Sequence, residues 1–131
     1  MATVPLLTDE EAAPEARAVF DAIRAARNTD YVNNFWRALA ADPAALRATW
    51  ERAQAVMAPG ALDPLVKELI YIAVSVTNGC AYCTHSHTAA ARAKGMTPAQ
   101  HGELMAVIAM AAQTNALATA LQVETDDRFL A

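Results

Sequence analysis

The sequence predicts an all-α protein. Three features carry that expectation: about a quarter of the residues are alanine, the best intrinsic helix former, only four glycines and six prolines interrupt the 131 residues, and aromatic residues are few. A chain of this length is expected to form one domain, residues 1–131, burying roughly two-thirds of the surface its unfolded form exposes.

The elements follow in order. Thr8 with Glu11 three residues later makes a capping-box pattern, and Ala16, Val19, Phe20, Ile23 and Ala26 recur at helical spacing, so a first helix is expected over about 9–27. A short helix is expected near 33–41. Asp42-Pro43 then supplies an N-cap and a first helical residue for a helix ending near Met57, before the stop Ala58-Pro59-Gly60. The same device at Asp63-Pro64 starts "LVKELIYIAVSVTNG", apolar on almost every side and expected to be the buried centre. Asn78-Gly79 ends it, because both residues tolerate the left-handed geometry of a helix C-terminus. A new helix must begin close to Cys80 and run to Gly95. Thr97-Pro98 caps "AQHGELMAVIAMAAQ", and "TNALATALQVE" is expected as a separate last helix before an acidic tail.

Charge and patterning exclude several classes of function. With 10 basic against 14 acidic residues and no basic run, the chain lacks the cations that neutralise nucleic-acid phosphates. The first positive residue is Arg17, and acidic residues stand where a signal peptide would have an apolar core. Its apolar runs fall short of the ~20 residues needed to cross a bilayer. The expected location is cytoplasmic, with neither nucleic acid nor membrane as partner. In that compartment two cysteines point to reactivity or metal binding rather than a structural disulfide.

Chemistry is concentrated in "NGCAYCTHSHTAAARAKG". At ~100° per residue, Cys80, Cys83 and His87 fall within roughly 60° of arc on one helix face, and His85 points elsewhere. Because the helix begins at the cysteines, its unpaired N–H groups and positive dipole end favour thiolate. Glu68 lies eleven residues before Gly79, and His87 eight after it. If the short turn folds the two helices antiparallel, carboxylate and imidazole reach similar heights on facing surfaces. A charge in so apolar a helix needs a partner, and His87 is the natural one. Glu68 could then orient the imidazole and leave it able to deprotonate a cysteine.

Glu68, eleven intervening residues and then Cys80-x-x-Cys83-x-x-x-His87 resemble the active-site signature of the alkylhydroperoxidase D superfamily, also called the carboxymuconolactone decarboxylase superfamily. The run "ELIYIAVSVTNGCAYCTHSHTAAARAKGMTP" looks like its core, and the resemblance covers about residues 30–123. It implies a single-domain helical bundle, with a helix-turn-helix core carrying the CxxC at a helix N-terminus, in small subunits that form trimers or hexamers. It also implies cofactor-free thiol chemistry: Cys83 as the peroxidatic thiolate, Cys80 as proton donor and resolving thiol, and His87 with Glu68 as proton relay. The implied partners are a hydroperoxide or a protein disulfide, and a recycling reductant. Some peroxidase members carry a histidine between the cysteines, where this chain has Ala81 and Tyr82, and decarboxylase members generally lack the cysteine pair.

Two other readings stand beside this one. Cys80, Cys83, His87 and either His85 or Glu68 could supply four zinc ligands, although structural zinc sites usually join pairs from separated segments. Alternatively, His87 and Glu68 could serve as acid and base in a cofactor-free decarboxylase of the same fold. Ser75 is expected to bond back into its own helix. Tyr82 is a candidate for bordering the pocket, His101 for the surface, and Phe20, Trp36 and Trp50 for core or subunit contacts.

Overall fold

The computed structural model describes residues 1–130, which form six α-helices and one short 3-10 turn, with no strand among the described residues. The helices are α1 (Pro14–Arg27), α2 (Asn34–Leu39), α3 (Pro43–Met57), α4 (Pro64–Thr77), α5 (Ala81–Ala93) and α6 (Pro98–Ala120). They belong to two compact units, residues 1–58 and 59–130.

In the first unit, α1 and α2 pack on α3. Phe20, Ile23, Val32 and Leu46 are fully buried there, and Trp36 meets Trp50 edge to face at 5.4 Å. Asp9 ties this unit together, accepting from Arg24 at 2.7 Å and from Arg37 at 3.2 Å. The two guanidinium groups hold its carboxyl at about 2, well below the usual range: the Arg24 bond is the largest influence, and burial opposes it.

The first helix starts later than its capping box suggests. Thr8 and Glu11 do exchange the expected bonds, at 2.9 and 3.3 Å, but they close an isolated turn. Pro14 has no N–H to extend that turn and cannot sit inside a helix, so it becomes the first residue of α1.

In the second unit α4 packs mainly on α5 and less extensively on α6. Asp63 caps α4 by accepting from the Leu65 N–H at 2.8 Å. At the far end only Gly79 is left-handed, at φ +68, while Asn78 remains helical. The Cys80 N–H returns to the Ser75 carbonyl at 2.9 Å and the Gly79 N–H to Val76 at 3.1 Å, the paired bonds of a Schellman turn. α5 ends the same way, with Gly95 at φ +94 and Met96 N–H bonded to the Ala91 carbonyl at 3.0 Å. Two such turns hold α4, α5 and the start of α6 in register.

Two sequence expectations are revised here. The two helices expected over 98–113 and 114–124 are one continuous helix, α6, which ends at Ala120. Thr114 does not break it, because its hydroxyl donates to the Met110 carbonyl within the same helix at 3.1 Å. α4, expected to be buried all round, buries only the face with Glu68, Ile72 and Ser75, and leaves Val66, Ile70, Tyr71 and Val74 exposed. α6 has no buried residue at all. An apolar sequence records that a face needs cover, and the exposed apolar residues of α4 and α6 are left without it among the described residues.

Candidate active site

The turn at Gly79 delivers Cys80 to the N-cap of α5. Its sulfur accepts the Cys83 N–H at 3.2 Å, so the side chain satisfies one of the unpaired donors of the helix start. Both cysteines are free thiols and both are half-buried. Cys83 lies one turn further on, and His87 one turn beyond that on the same face.

The antiparallel hairpin of α4 and α5 brings Glu68 to the imidazole: His87 Nδ1 and Glu68 Oε2 are 2.7 Å apart. Glu68 is buried, and its second oxygen accepts from Lys94 Nζ at 2.9 Å. Burial alone would push this carboxyl up, but the bonds from His87 and Lys94 outweigh it and hold the group below its ordinary value. With Nδ1 facing a carboxylate, the imidazole has its Nε2 left for proton transfer. Tyr71 stacks on the same ring, centroids 3.5 Å apart and planes 18° off parallel.

The two sulfurs share one proton unequally. Cys80 is lowered because the Cys83 thiol and then the Cys83 N–H both donate to it, with burial opposing weakly. Cys83 is raised to about 11, first because its proton is held by Cys80 and then by burial. Of the two thiols Cys80 therefore gives up its proton more readily, whereas the family resemblance implies Cys83 as the attacking thiolate.

The structure thus gathers Glu68, Cys80, Cys83 and His87 along the α4–α5 hairpin and leaves His85 exposed. Ser75 stays out of the constellation, donating to the Tyr71 carbonyl at 2.7 Å. Tyr82 is exposed and His101 half-buried on α6. No group of three or more His, Cys, Asp or Glu side chains clusters closely enough among the described residues to hold a metal ion. Sequence reasoning missed Tyr71 and Lys94. Both were within reach of the helical spacing rule: Tyr71 is three residues after Glu68, and Lys94 is seven after His87, one and two turns along the faces already singled out.

The Carboxymuconolactone decarboxylase family matches residues 43–126. The Alkyl hydroperoxide reductase AhpD of Solibacter usitatus (strain Ellin6076) is 38% identical over 71 residues, which is 54% of this chain but only 38% of that protein's length. The crystal structure of the Alkylhydroperoxidase AhpD core from Rhodospirillum rubrum ATCC 11170 superposes with a TM-score of 0.97 at 63% identity, covering 100% of this chain and 98% of that one. With more than half of its length matched, and its helices superposing on that core throughout, the chain belongs to the carboxymuconolactone decarboxylase family and has the alkylhydroperoxidase D fold.

Proposed function

We propose that the protein is a thiol-dependent peroxidase of the alkylhydroperoxidase D type, with Cys80 and Cys83 as its redox pair and Glu68–His87 as its proton relay. The observation that carries this reading is a CxxC at a helix start, on the same helix face as an imidazole held at 2.7 Å by a buried carboxylate. Cys83 passes its proton to His87, and its sulfur attacks one peroxide oxygen. The O–O bond breaks, and the departing alkoxide takes a proton from His87 to leave as the alcohol. Cys83 becomes a sulfenic acid, Cys80 displaces its hydroxyl as water, and the S–S bond forms. The peroxide gains two electrons and the cysteine pair loses two, so a dithiol reductant must restore it. The same pair can oxidise or reduce a partner protein's disulfide by exchange.

Thiol titration of the reduced protein after treatment with cumene hydroperoxide tests the reading. Two thiols per chain should be lost, and the single thiol left in a Cys83→Ser variant should persist. Thiols that persist in the wild type, or consumption of cumene hydroperoxide that survives replacement of both cysteines, would overturn it.

A second reading keeps the reaction and exchanges the sulfurs. It is favoured by the lowered proton affinity of Cys80, which comes first from the Cys83 thiol and then from the Cys83 N–H at its N-cap position. Cys80 then attacks first, and His87 draws the proton from Cys83 when Cys83 resolves. Mass spectrometry of the two single Cys→Ser variants after one turnover separates the readings, because the added oxygen marks the attacker.

We also propose that the chain works as a homo-oligomer, a trimer or hexamer. Val107, Met110, Leu117 and Leu121 are all exposed and fall within roughly 80° of arc along α6, a stripe of apolar surface more than 20 Å long. Glutamates at Val107 and Met110 should reduce the mass measured by light scattering to that of a single chain. An unchanged mass would remove this stripe as the interface.

A further inference from the structure

We propose that Lys94 is a positioning residue for the thiol chemistry, supplying the counter-charge to Glu68 so that His87 can act as an uncharged base; this rests on the peroxidase reading above. Glu68 has a side chain only 5% exposed, and a carboxylate at that depth demands a balancing cation. If His87 had to be that cation, its imidazole would already carry the proton that it needs to accept. Lys94 removes the conflict. Its Nζ sits 2.9 Å from Oε1, while Nδ1 of His87 occupies Oε2 at 2.7 Å, so one carboxylate serves two partners at once. His87 can then donate a neutral Nδ1–H to Glu68 and keep a lone pair on Nε2.

The placement of Lys94 is built into the fold. Its N–H bonds to the Ala90 and Ala91 carbonyls at 3.1 Å, and the left-handed Gly95 and buried Met96 fix the chain immediately beyond it. The side chain is 39% exposed, yet its ammonium group turns inward to a buried acceptor. The titratable groups around the pair come from α4 and α5. Tyr71 stacks on the imidazole, Cys83 is one turn before it, and Lys67, next to Glu68, is displaced by ~100° around α4. α6 contributes the apolar Leu104 and Met105 to the core beneath, while its His101 and Glu103 form none of the ion pairs described for Glu68.

Removing a positive charge raises the proton affinity of every group near it, so the Glu68–His87 pair should take up its proton at a higher pH without Lys94. The test uses the reduced protein as wild type, Lys94→Met, Lys94→Gln and Lys94→Arg. Lys94→Gln keeps a donor to Oε1 without its charge, and serves should Lys94→Met not fold. The imidazole signal of His87, assigned with a His87→Gln variant, is titrated by NMR, and oxidation by cumene hydroperoxide is followed across pH. In the neutral variants the imidazole midpoint should rise by about one pH unit, the acid limb of the rate profile should move with it, and the rate below that limb should fall about tenfold. Lys94→Arg should restore both. An unmoved midpoint, or a shift that arginine does not reverse, would overturn the proposal. A moved midpoint in a protein whose wild type ignores hydroperoxide would leave the role of Lys94 standing and sink the peroxidase reading instead.

Discussion

Replacing Glu68 with glutamine tests the relay without emptying the site. The side chain is buried and accepts from His87 at 2.7 Å and Lys94 at 2.9 Å. Glutamine fills the same volume, so no cavity opens, but its amide has one acceptor and one donor where the carboxylate has two acceptors. Lys94, 39% exposed, can turn to water at little cost. Where the amide nitrogen faces His87, the imidazole must accept at Nδ1 and loses the free lone pair on Nε2; where the amide oxygen faces it, the Nδ1–H bond is kept but the negative charge that strengthens Nε2 as a base is lost. Loss of a charge-assisted bond, partly offset by the desolvation no longer needed, should destabilise the protein by about 1–2 kcal/mol. Glu68→Ala, which strands both partners and leaves a void, should cost about 3–5 kcal/mol. Thiol oxidation in Glu68→Gln should slow by roughly 10²–10⁴-fold, the usual contribution of a positioned base. Urea unfolding gives the first quantity, and stopped-flow thiol loss under cumene hydroperoxide gives the second. A Glu68→Gln protein that oxidises at the wild-type rate would refute the relay, whatever its stability. The sign with pH is also determined. The folded-state pKa of Glu68 lies below its ordinary 4.5, so its stabilisation is complete above that value and is lost as pH falls through the folded value. The glutamine variant should show less of that acid loss.

Three further outcomes are expected. Thiolate absorbance in the near ultraviolet should reveal the coupling of the two thiols: in Cys80→Ala the remaining thiol should titrate well below the value of about 11 that Cys83 has in the pair, because the acceptor holding its proton is gone, while in Cys83→Ala the Cys80 thiol should titrate higher than in the wild type. Asp9→Asn should flatten the acid limb of the stability curve between pH ~4 and ~2, with about 1 kcal/mol lost at neutral pH after allowance for solvent screening of a pair this exposed; an unchanged urea midpoint at pH 7 would show the pair contributes nothing. Gly79→Ala meets no atom within 4 Å of the new Cβ, so its cost is that of the left-handed backbone alone, about 1–2 kcal/mol, read as a melting temperature lower by several degrees.

What the sequence determined by itself was local. Asp42-Pro43, Asp63-Pro64 and Thr97-Pro98 mark helix starts, because a side-chain acceptor followed by a residue without an N–H suits no other place so well. Helical spacing put Cys80, Cys83 and His87 on one face, and residue counting across a short turn was enough to pair Glu68 with His87. Where a local signal met a competing one, sequence reasoning failed: the capping box at Thr8 lost to Pro14, and the polar Thr114 proved compatible with a helix that absorbs its hydroxyl.

Only the tertiary structure decided how charge is distributed. Which sulfur holds its proton more tightly depends first on the bond between the two thiols and then on the Cys83 N–H 3.2 Å from Cys80 Sγ, contacts set by the left-handed turn at Gly79 where the chain enters α5. That Glu68 has two partners rather than one depends on the Lys94 side chain reaching back from the end of α5 into the α4–α5 hairpin. A sequence lists ionisable groups and their spacing. Their proton affinities follow from burial and from distances of a few ångströms, and those exist only after the helices have packed.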